Sequence, residues 1–423
     1  MVRSIAMARR IFTRRQLVLA ASGAALFAGV RYGHRRVSRS ADPSGPLSDG
    51  AKGLIAWAWK GLDPARVLDV HVHVLGMGTG GTGCFVGPRM TRLSSPIEYL
   101  KFSVYEQAAG ITEADQCDLQ YIDRLIGLMK TQAPHGRALI FAFDKFHDDA
   151  GNEVKESTEF FTPNEYVLKL ARKHPDIFVP CASVHPYRAD AVEALTAAVE
   201  GGAVAVKWLP NAMNIDPSSP KCDAFYEAMK DLKVPLISHA GEEKAVHAEE
   251  SQRLGNPLHL RRPLEHGVKV VVAHCASLGQ NPDLDAPEGN RPWLDNFDLF
   301  LRLMSEQKWE GLLFGEVSAM TIINRIGKPL DRVLKDDRLQ KRLMNGSDYP
   351  LPALNVLMQT GAVEKLGFIT SAERAWLNEI DQHDPLLLDF VMKRSLRVHE
   401  NGKDHRLADE MFTIRSDVFP RLA

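Results

Sequence analysis

The chain has 423 residues, 45% hydrophobic and 25% charged, with a formal net charge of −1. That is globular composition, enough for one large domain or two smaller ones, and the charge balance gives no basis for a nucleic-acid or other polyanion partner. Cys84, Cys117, Cys181, Cys222 and Cys275 are scattered without a C-x-x-C spacing. This argues against a disulfide framework or a zinc ribbon and leaves room for at most one bridged pair after export.

Residues 1–40 differ from the rest. Arg9-Arg10 and Arg14-Arg15 precede an uncharged run, Gln16 to Val30, rich in Ala, Leu and Gly. A basic n-region before an apolar h-region predicts an export signal, and Thr-Arg-Arg-Gln-Leu-Val-Leu resembles the twin-arginine type. No small-x-small cleavage site follows, and Arg31, Arg35, Arg36 and Arg39 come straight after the run. A cleaved signal and an uncleaved membrane anchor therefore both stay open. The expected location is exported, periplasmic or anchored on the outer side. Residues 41–60 are expected as linker on their Ser, Pro and Gly content near the start, and residues 61–423 as the folded domain.

Val67 to Val74 is the first predicted strand and carries His71 and His73. Side chains alternate along a strand, so the two imidazoles share a face and can share a divalent ion, with Val72 turned into the packing. Gly76 to Gly83 has five glycines without the spacing of a dinucleotide or phosphate fingerprint, and a mobile loop beside the site is expected. Residues 92–130 read mainly as helix, with apolar positions at Leu119, Ile122, Leu125, Ile126 and Met129, an insertion over the pocket. Arg137 to Phe143 is the second strand. His147-Asp148-Asp149 after it reads as solvated loop charge. Pro163 to Lys173 is a helix, and Ile177 to Val184 is the third strand, ending at His185. Ala189 to Glu200 is helical, and Ala203 to Trp208 is the fourth strand, carrying Lys207. A lysine ending so apolar a run costs free energy if buried without a partner, so it either reaches the surface or serves the site.

Asp223 to Leu232 is a helix, Val234 to His239 the fifth strand, and Val268 to Val272 the sixth, running into His274. Glu242, Glu243 and His247 lie between the last two. Residues 279–292 form a loop. Leu312 to Val317 is the seventh strand, weakened by Gly315. Asn345-Gly346-Ser347-Asp348 closes the eighth. Helices follow from about Leu351. Eight strands with helical connections predict an α/β fold, a (β/α)8 TIM barrel with an inserted segment after the first strand and C-terminal helices. His71, His73, Lys207, His239, His274 and Asp348 then meet at the C-terminal ends of the strands, where such barrels carry their sites.

The order His-x-His, Lys, His, His, Asp, with the phrases Ile-Ser-His-Ala-Gly and Asn-Gly-Ser-Asp-Tyr-Pro, resembles the amidohydrolase superfamily, in its amidohydrolase-related (amidohydrolase 2) branch of metal-dependent enzymes. The resemblance covers roughly residues 66–360. It implies that His71, His73 and Asp348 bind one metal and that His239 and His274 are further ligands. It also implies that Lys207 stands where two-metal members carry a carboxylated lysine, and that Asp348 is the general base. His274 has a second reading, as a residue that orients substrate. Zinc or a similar divalent ion, one or two per chain, is expected.

The leading functional expectation is hydrolysis of a C–N or C–O bond in an amide, lactam, lactone or ester. Nonoxidative decarboxylation of a small aromatic or unsaturated acid is the first alternative, and a non-catalytic metal-containing binding barrel the second. The expected partner is a small-molecule substrate, with membrane association and homo-oligomerisation open. Arg89, Arg92, Arg188, Trp208 and Arg325 are candidate pocket groups, with surface positions expected for each.

Overall fold

The computed structural model describes residues 46–131, 134–246 and 248–422. The expected export leader, the first five residues of the expected linker, and His247 lie outside the described residues. Among those described, no helix is long and apolar enough to cross a membrane.

Eight parallel strands form the barrel: β1 Leu68–His73, β2 Arg137–Phe141, β3 Phe178–Cys181, β4 Val206–Trp208, β5 Leu236–His239, β6 Val270–Ala273, β7 Leu313–Glu316 and β8 Leu343–Met344. Consecutive strands pair in order from β1 to β3 and from β4 to β8. A bridge between Ala182 and Val206 joins β3 to β4, and one between Val72 and Tyr349 ties β1 to the chain just past β8, which closes the ring. All eight expected strands are present, most of them shorter than their apolar runs. The runs continue beyond the strands because flanking residues such as Ala142, Val184 and Val234 are still buried.

The barrel interior is filled by alternate residues, as the period of a strand requires. Leu139, Phe141, Val179, Ile237, Val271 and Phe314 belong to one interior cluster, which Val418 and Phe419 from the C-terminal segment join. β1 obeys this with one interruption. Leu68 and Val70 lie in the interior cluster, whereas Val72 packs in the outer cluster beneath the inserted helices. The β1–β2 register shifts between Asp69 and Val72, and this irregularity changes the phase so that His71 and His73 point inward above the packed layer.

Helices α1 Asp49–Trp59, α2 Pro96–Ala108, α3 Cys117–Thr131, α4 Asn164–Lys173, α5 Ala191–Glu200, α6 Asp223–Leu232, α7 Asn296–Ser305, α8 Lys328–Lys335, α9 Ser371–His383 and α10 Pro385–Ser395 surround and extend the ring. Helix α1 corrects the expectation that residues 41–60 are linker. Ser48 caps it, and Ala51, Leu54 and Ala58 form a buried stripe. Trp59 packs on Phe390 of α10 with ring centroids 4.5 Å apart, and the Arg394 Nε donates to Ala58 O at 2.9 Å. A short apolar stripe at helical spacing was outweighed by the Pro and Gly content just before it.

Two further expectations are corrected. In α3 the buried face runs through Tyr121, Ile122, Leu125 and Leu128, and Leu119 is exposed on the other side. The glycine loop after β1 is pinned. The buried Asp118 carboxylate accepts from Met77 N at 2.6 Å, Gly78 N at 3.1 Å and Thr79 Oγ1 at 3.0 Å, and also from the Thr82 hydroxyl. A carboxylate from the inserted segment thus satisfies backbone groups that the sequence leaves to solvent.

Candidate metal centre

At the C-terminal mouth of the barrel, three ligand atoms converge. His71 Nε2 and His73 Nε2 lie 3.2 Å apart, and Asp348 Oδ1 is 3.2 Å from each. A tetrahedral ion with ligand bonds of about 2.0–2.1 Å has ligand–ligand edges of roughly 3.3 Å. The triangle therefore has the dimensions of one face of such a site, and its donors suit a divalent ion of the zinc type. His71, His274 and Glu316 form a second compact group.

Glu316, at the end of β7, is the support for this site. It is fully buried, and its Oε1 accepts from His71 Nδ1 at 3.0 Å and from His274 N at 2.8 Å. Its Oε2 accepts from Ser318 N at 2.6 Å, and the Ser318 hydroxyl donates to Oε1 at 2.8 Å. His274 Nδ1 lies 3.1 Å from Ser318 O and 2.8 Å from Ser318 Oγ. These partners assign the proton to Nδ1 of both rings and leave each Nε2 lone pair facing the cavity. In the described structure the second group is held together by hydrogen bonds that orient the His71 and His274 rings.

The other expected residues arrive by simple alternation or by strain. Lys207 follows Ala205, and His239 follows Ile237, both two residues on and inward. His274 breaks the pattern, since alternation from Val271 and Ala273 would turn it outward. A left-handed turn corrects this: His274, Cys275 and Ala276 have φ of 55°, 49° and 51°. Non-glycine residues adopt that region at a cost, and here it re-aims the imidazole into the barrel while Cys275 packs outside. Asp348 has φ of 65° and donates its own N–H to His71 O at 2.8 Å. All five cysteines are free and buried.

Electrostatics set the protonation that ligation needs. Burial first, then Arg325 nearby, pulls His274 down to about 3. Burial and the neighbouring His274 hold His239 well below its usual value, and burial lowers His73. Burial opposes charge on Asp348, but His71 and His274 hold its carboxyl well below the carboxylate range. Glu316 is held low in the same way by His71 and His274 against its burial. Burial and Lys207 push His71 down, but Asp348 and Glu316 outweigh them and raise it. Lys207 is buried with its Nζ 5.1 Å from the Phe141 ring centroid, makes no ion pair among the described residues, and is lowered chiefly by burial.

The pocket above these groups holds His71, His73, Lys207, His239, His274 and Asp348 together. Its walls are mostly apolar, with Val104 and Tyr105 from the inserted segment, Leu209 after β4, and Leu354 beyond β8. Glu243 Oε2 lies 3.6 Å from His239 Nε2, an atom with no hydrogen-bond partner. Such a concave, apolar site with a few convergent polar groups is built for a small molecule.

The surface expectation fails for Arg325, which is buried and lines the pocket. Trp208 is buried too, but on the outside of the barrel against Phe225 and Tyr226, with its Nε1 donating to Val184 O at 2.9 Å. Arg89 and Arg92 are exposed, and Arg188 pairs with Asp144 and Asp190. Asp148 accepts from Ala150 N and Asn152 N in a surface turn, whereas His147 is buried against the His185 ring, 4.5 Å between centroids. Glu316 and Ser318 were not singled out in the sequence. Alternation from the inward Phe314 would have placed Glu316 in the site, but Gly315 obscured the strand.

Gly315 itself has a packing reason. A Cβ there would lie 2.8 Å from Phe300 of α7 and 2.9 Å from Leu343. Gly346 is required as well, since a Cβ would come within 2.7 Å of His71 Cβ and 2.8 Å of Glu316 Oε2.

The sequence model of the amidohydrolase family (Amidohydro_2) matches residues 134–377, more than half of the chain. The chain belongs to the amidohydrolase family. The matched stretch contains Lys207, His239, His274, Glu316 and Asp348, while His71 and His73 precede it. Among solved structures, an uncharacterized TIM-barrel protein from Bordetella bronchiseptica is 15% identical, with 76% of this chain and 99% of that one covered and a TM-score of 0.46. A 5-carboxyvanillate decarboxylase from Novosphingobium aromaticivorans is 12% identical, covering 73% and 93% at a TM-score of 0.42. An N-isopropylammelide isopropylaminohydrolase from Burkholderia multivorans is 13% identical, covering 81% and 87% at 0.40. No curated protein matches the chain. The site of this amidohydrolase-family barrel holds a cluster that could bind a divalent ion, consistent with a metal-dependent enzyme.

Proposed function

We propose that the protein is a metal-dependent hydrolase that cleaves a C–N or C–O bond of a small amide, lactam, lactone or ester, with Asp348 as general base. The observation that carries this reading is the equal-sided triangle of His71 Nε2, His73 Nε2 and Asp348 Oδ1 at 3.2 Å. When bound, a divalent ion supplies Lewis acidity to a carbonyl and lowers the pKa of water. Asp348 turns one oxygen to the two histidines and the other toward His274 Nε2, 3.8 Å away. In this reading it takes a proton from the attacking water and delivers it to the leaving group. His274, whose Nε2 lone pair faces the cavity, serves as a further ligand or orients the substrate. If the Lys207 amine is carboxylated, it would bridge to a second ligand set made by His239 and His274, and the burial that lowers the Lys207 pKa favours the neutral amine that this reaction needs.

Elemental analysis of purified protein should find one to two divalent ions per chain, zinc foremost, with two if Lys207 is carboxylated. His73→Ala should lower occupancy together with turnover. Full activity after exhaustive chelation would reject the metal-dependent reading. A substrate that releases carbon dioxide instead of taking up water would replace hydrolysis with decarboxylation.

We also propose that the chain is exported through its Arg14-Arg15 signal. Changing both arginines to lysine should hold the protein in the cytoplasm, and unchanged fractionation would reject this route.

A further inference from the structure

Arg325 sits on the loop after β7, 8% exposed, with its side chain bordering the pocket. Among the described residues it makes no ion pair, and its side-chain hydrogen bond runs from Nη1 to Ser277 Oγ at a long 3.4 Å. Arg394, equally buried at 8%, shows how a guanidinium is satisfied elsewhere in this fold, donating to Ala58 O at 2.9 Å and to the Asp409 carboxylate at 2.5 Å. A buried charge left without such partners is costly, and a site keeps one only where something else completes it.

The carboxylates near Arg325 are otherwise engaged. Glu243 Oε1 takes the backbone N–H of Ala245 at 2.5 Å and that of Val246 at 3.3 Å. Asp348 faces His71 and His73. A divalent ion at that corner would draw the Asp348 charge further from Arg325. The pocket that Arg325 lines is mostly apolar, with Leu278, Ile322, Leu354 and Leu357 in its lining along with the polar Asn324 and Lys244. A planar fork of N–H donors in an apolar pocket matches a carboxylate, which it can hold through two parallel bonds.

We propose that Arg325 anchors the substrate of this site, which carries a carboxylate on a mostly apolar skeleton, while its reacting group lies at His71, His73 and Asp348. The inference rests on that pocket being the reaction site, and its test is independent of turnover. The probes are benzoate and its neutral isostere benzamide, titrated calorimetrically into the full-length protein before and after chelation, with metal content measured in both states. Benzoate should bind at least tenfold more tightly than benzamide. Arg325→Met should weaken benzoate by about 10–100-fold, the usual worth of a hydrogen bond to a charged group, and leave benzamide unchanged. Arg325→Lys should fall between them, since it keeps the charge and loses the fork. The preference should survive chelation.

Thermal unfolding separates an anchor from a structural ion. Removing an uncompensated buried charge should leave the melting temperature of Arg325→Met unchanged or raise it. A fall would mark Arg325 as structural and overturn the proposal. Benzoate binding that is lost on chelation but intact in Arg325→Met would place the anion on the metal, overturning the anchor while leaving the metal-dependent reading standing. Failure of acetate, hexanoate, benzoate and 2-naphthoate alike to bind the metal-loaded protein would also overturn it.

Discussion

Asp348→Asn should lower the maximal rate by about 10²–10⁴-fold on whichever amide, lactone or ester a substrate screen yields, the range expected for positioned acid–base catalysis. The chemistry removed is the carboxylate's capacity to take up and release a proton. The fold should survive, for a local reason. Asp348 sits at φ of 65°, a region where asparagine is among the best tolerated residues, so the substitution adds little strain. Its backbone N–H bond to His71 O is untouched. Alanine at the same position would confuse two effects by adding backbone strain to the lost side chain. Metal content of Asp348→Asn should be reduced but measurable, because an amide oxygen can still occupy the ligand corner. A variant that turns over at a near-normal rate would make Asp348 a structural ligand and remove it as the base.

Glu316→Gln should weaken metal binding by about 10–100-fold and destabilise the protein by about 3–5 kcal/mol, although Glu316 lines neither the ion's triangle nor the pocket. The carboxylate gathers four donors from three residues: His71 Nδ1, His274 N, Ser318 N and Ser318 Oγ. All four point at it in a region without water-exposed surface. A glutamine brings one accepting oxygen and an amide group that can only donate. At least one buried N–H would then face another donor, and His71 would lose the partner that sets its tautomer. Chelator-competition titration measures the first effect and denaturant unfolding of the metal-free protein the second. Wild-type values in both would show that Ser318 orients the rings unaided. A loss of stability with unchanged metal affinity would make Glu316 part of the core only.

Much of this architecture was written in the order of residues along the chain. Apolar runs of strand length, each followed by a helical pattern, are local signals, because burial on one face and a backbone period of two or 3.6 residues leave their mark within a few positions. The eight strands, the insertion after β1 and the helices after β8 followed from that alone. The inward placement of Lys207 and His239 fits the same alternation, since each lies two residues beyond a barrel-filling side chain, and it decides between the surface and site positions that the sequence left open for Lys207. Where local signals competed, the reading went astray. At α1, Ser, Pro and Gly just upstream outweighed a stripe that needs the distant helix α10 to be buried.

Tertiary structure alone decided the rest, because the deciding contacts join residues far apart in sequence. His274 faces the ion's corner only because a left-handed turn overrides strand alternation. His71 does so only because β1 slips register against β2. Arg325 looked like any loop arginine until the walls of the pocket closed around it. Glu316 could be placed inward by counting from Phe314, but its four donors come from β1, from the turn after β6 and from Ser318. A buried carboxylate's role depends on which donors the closed barrel brings to it, and the sequence does not contain those distances.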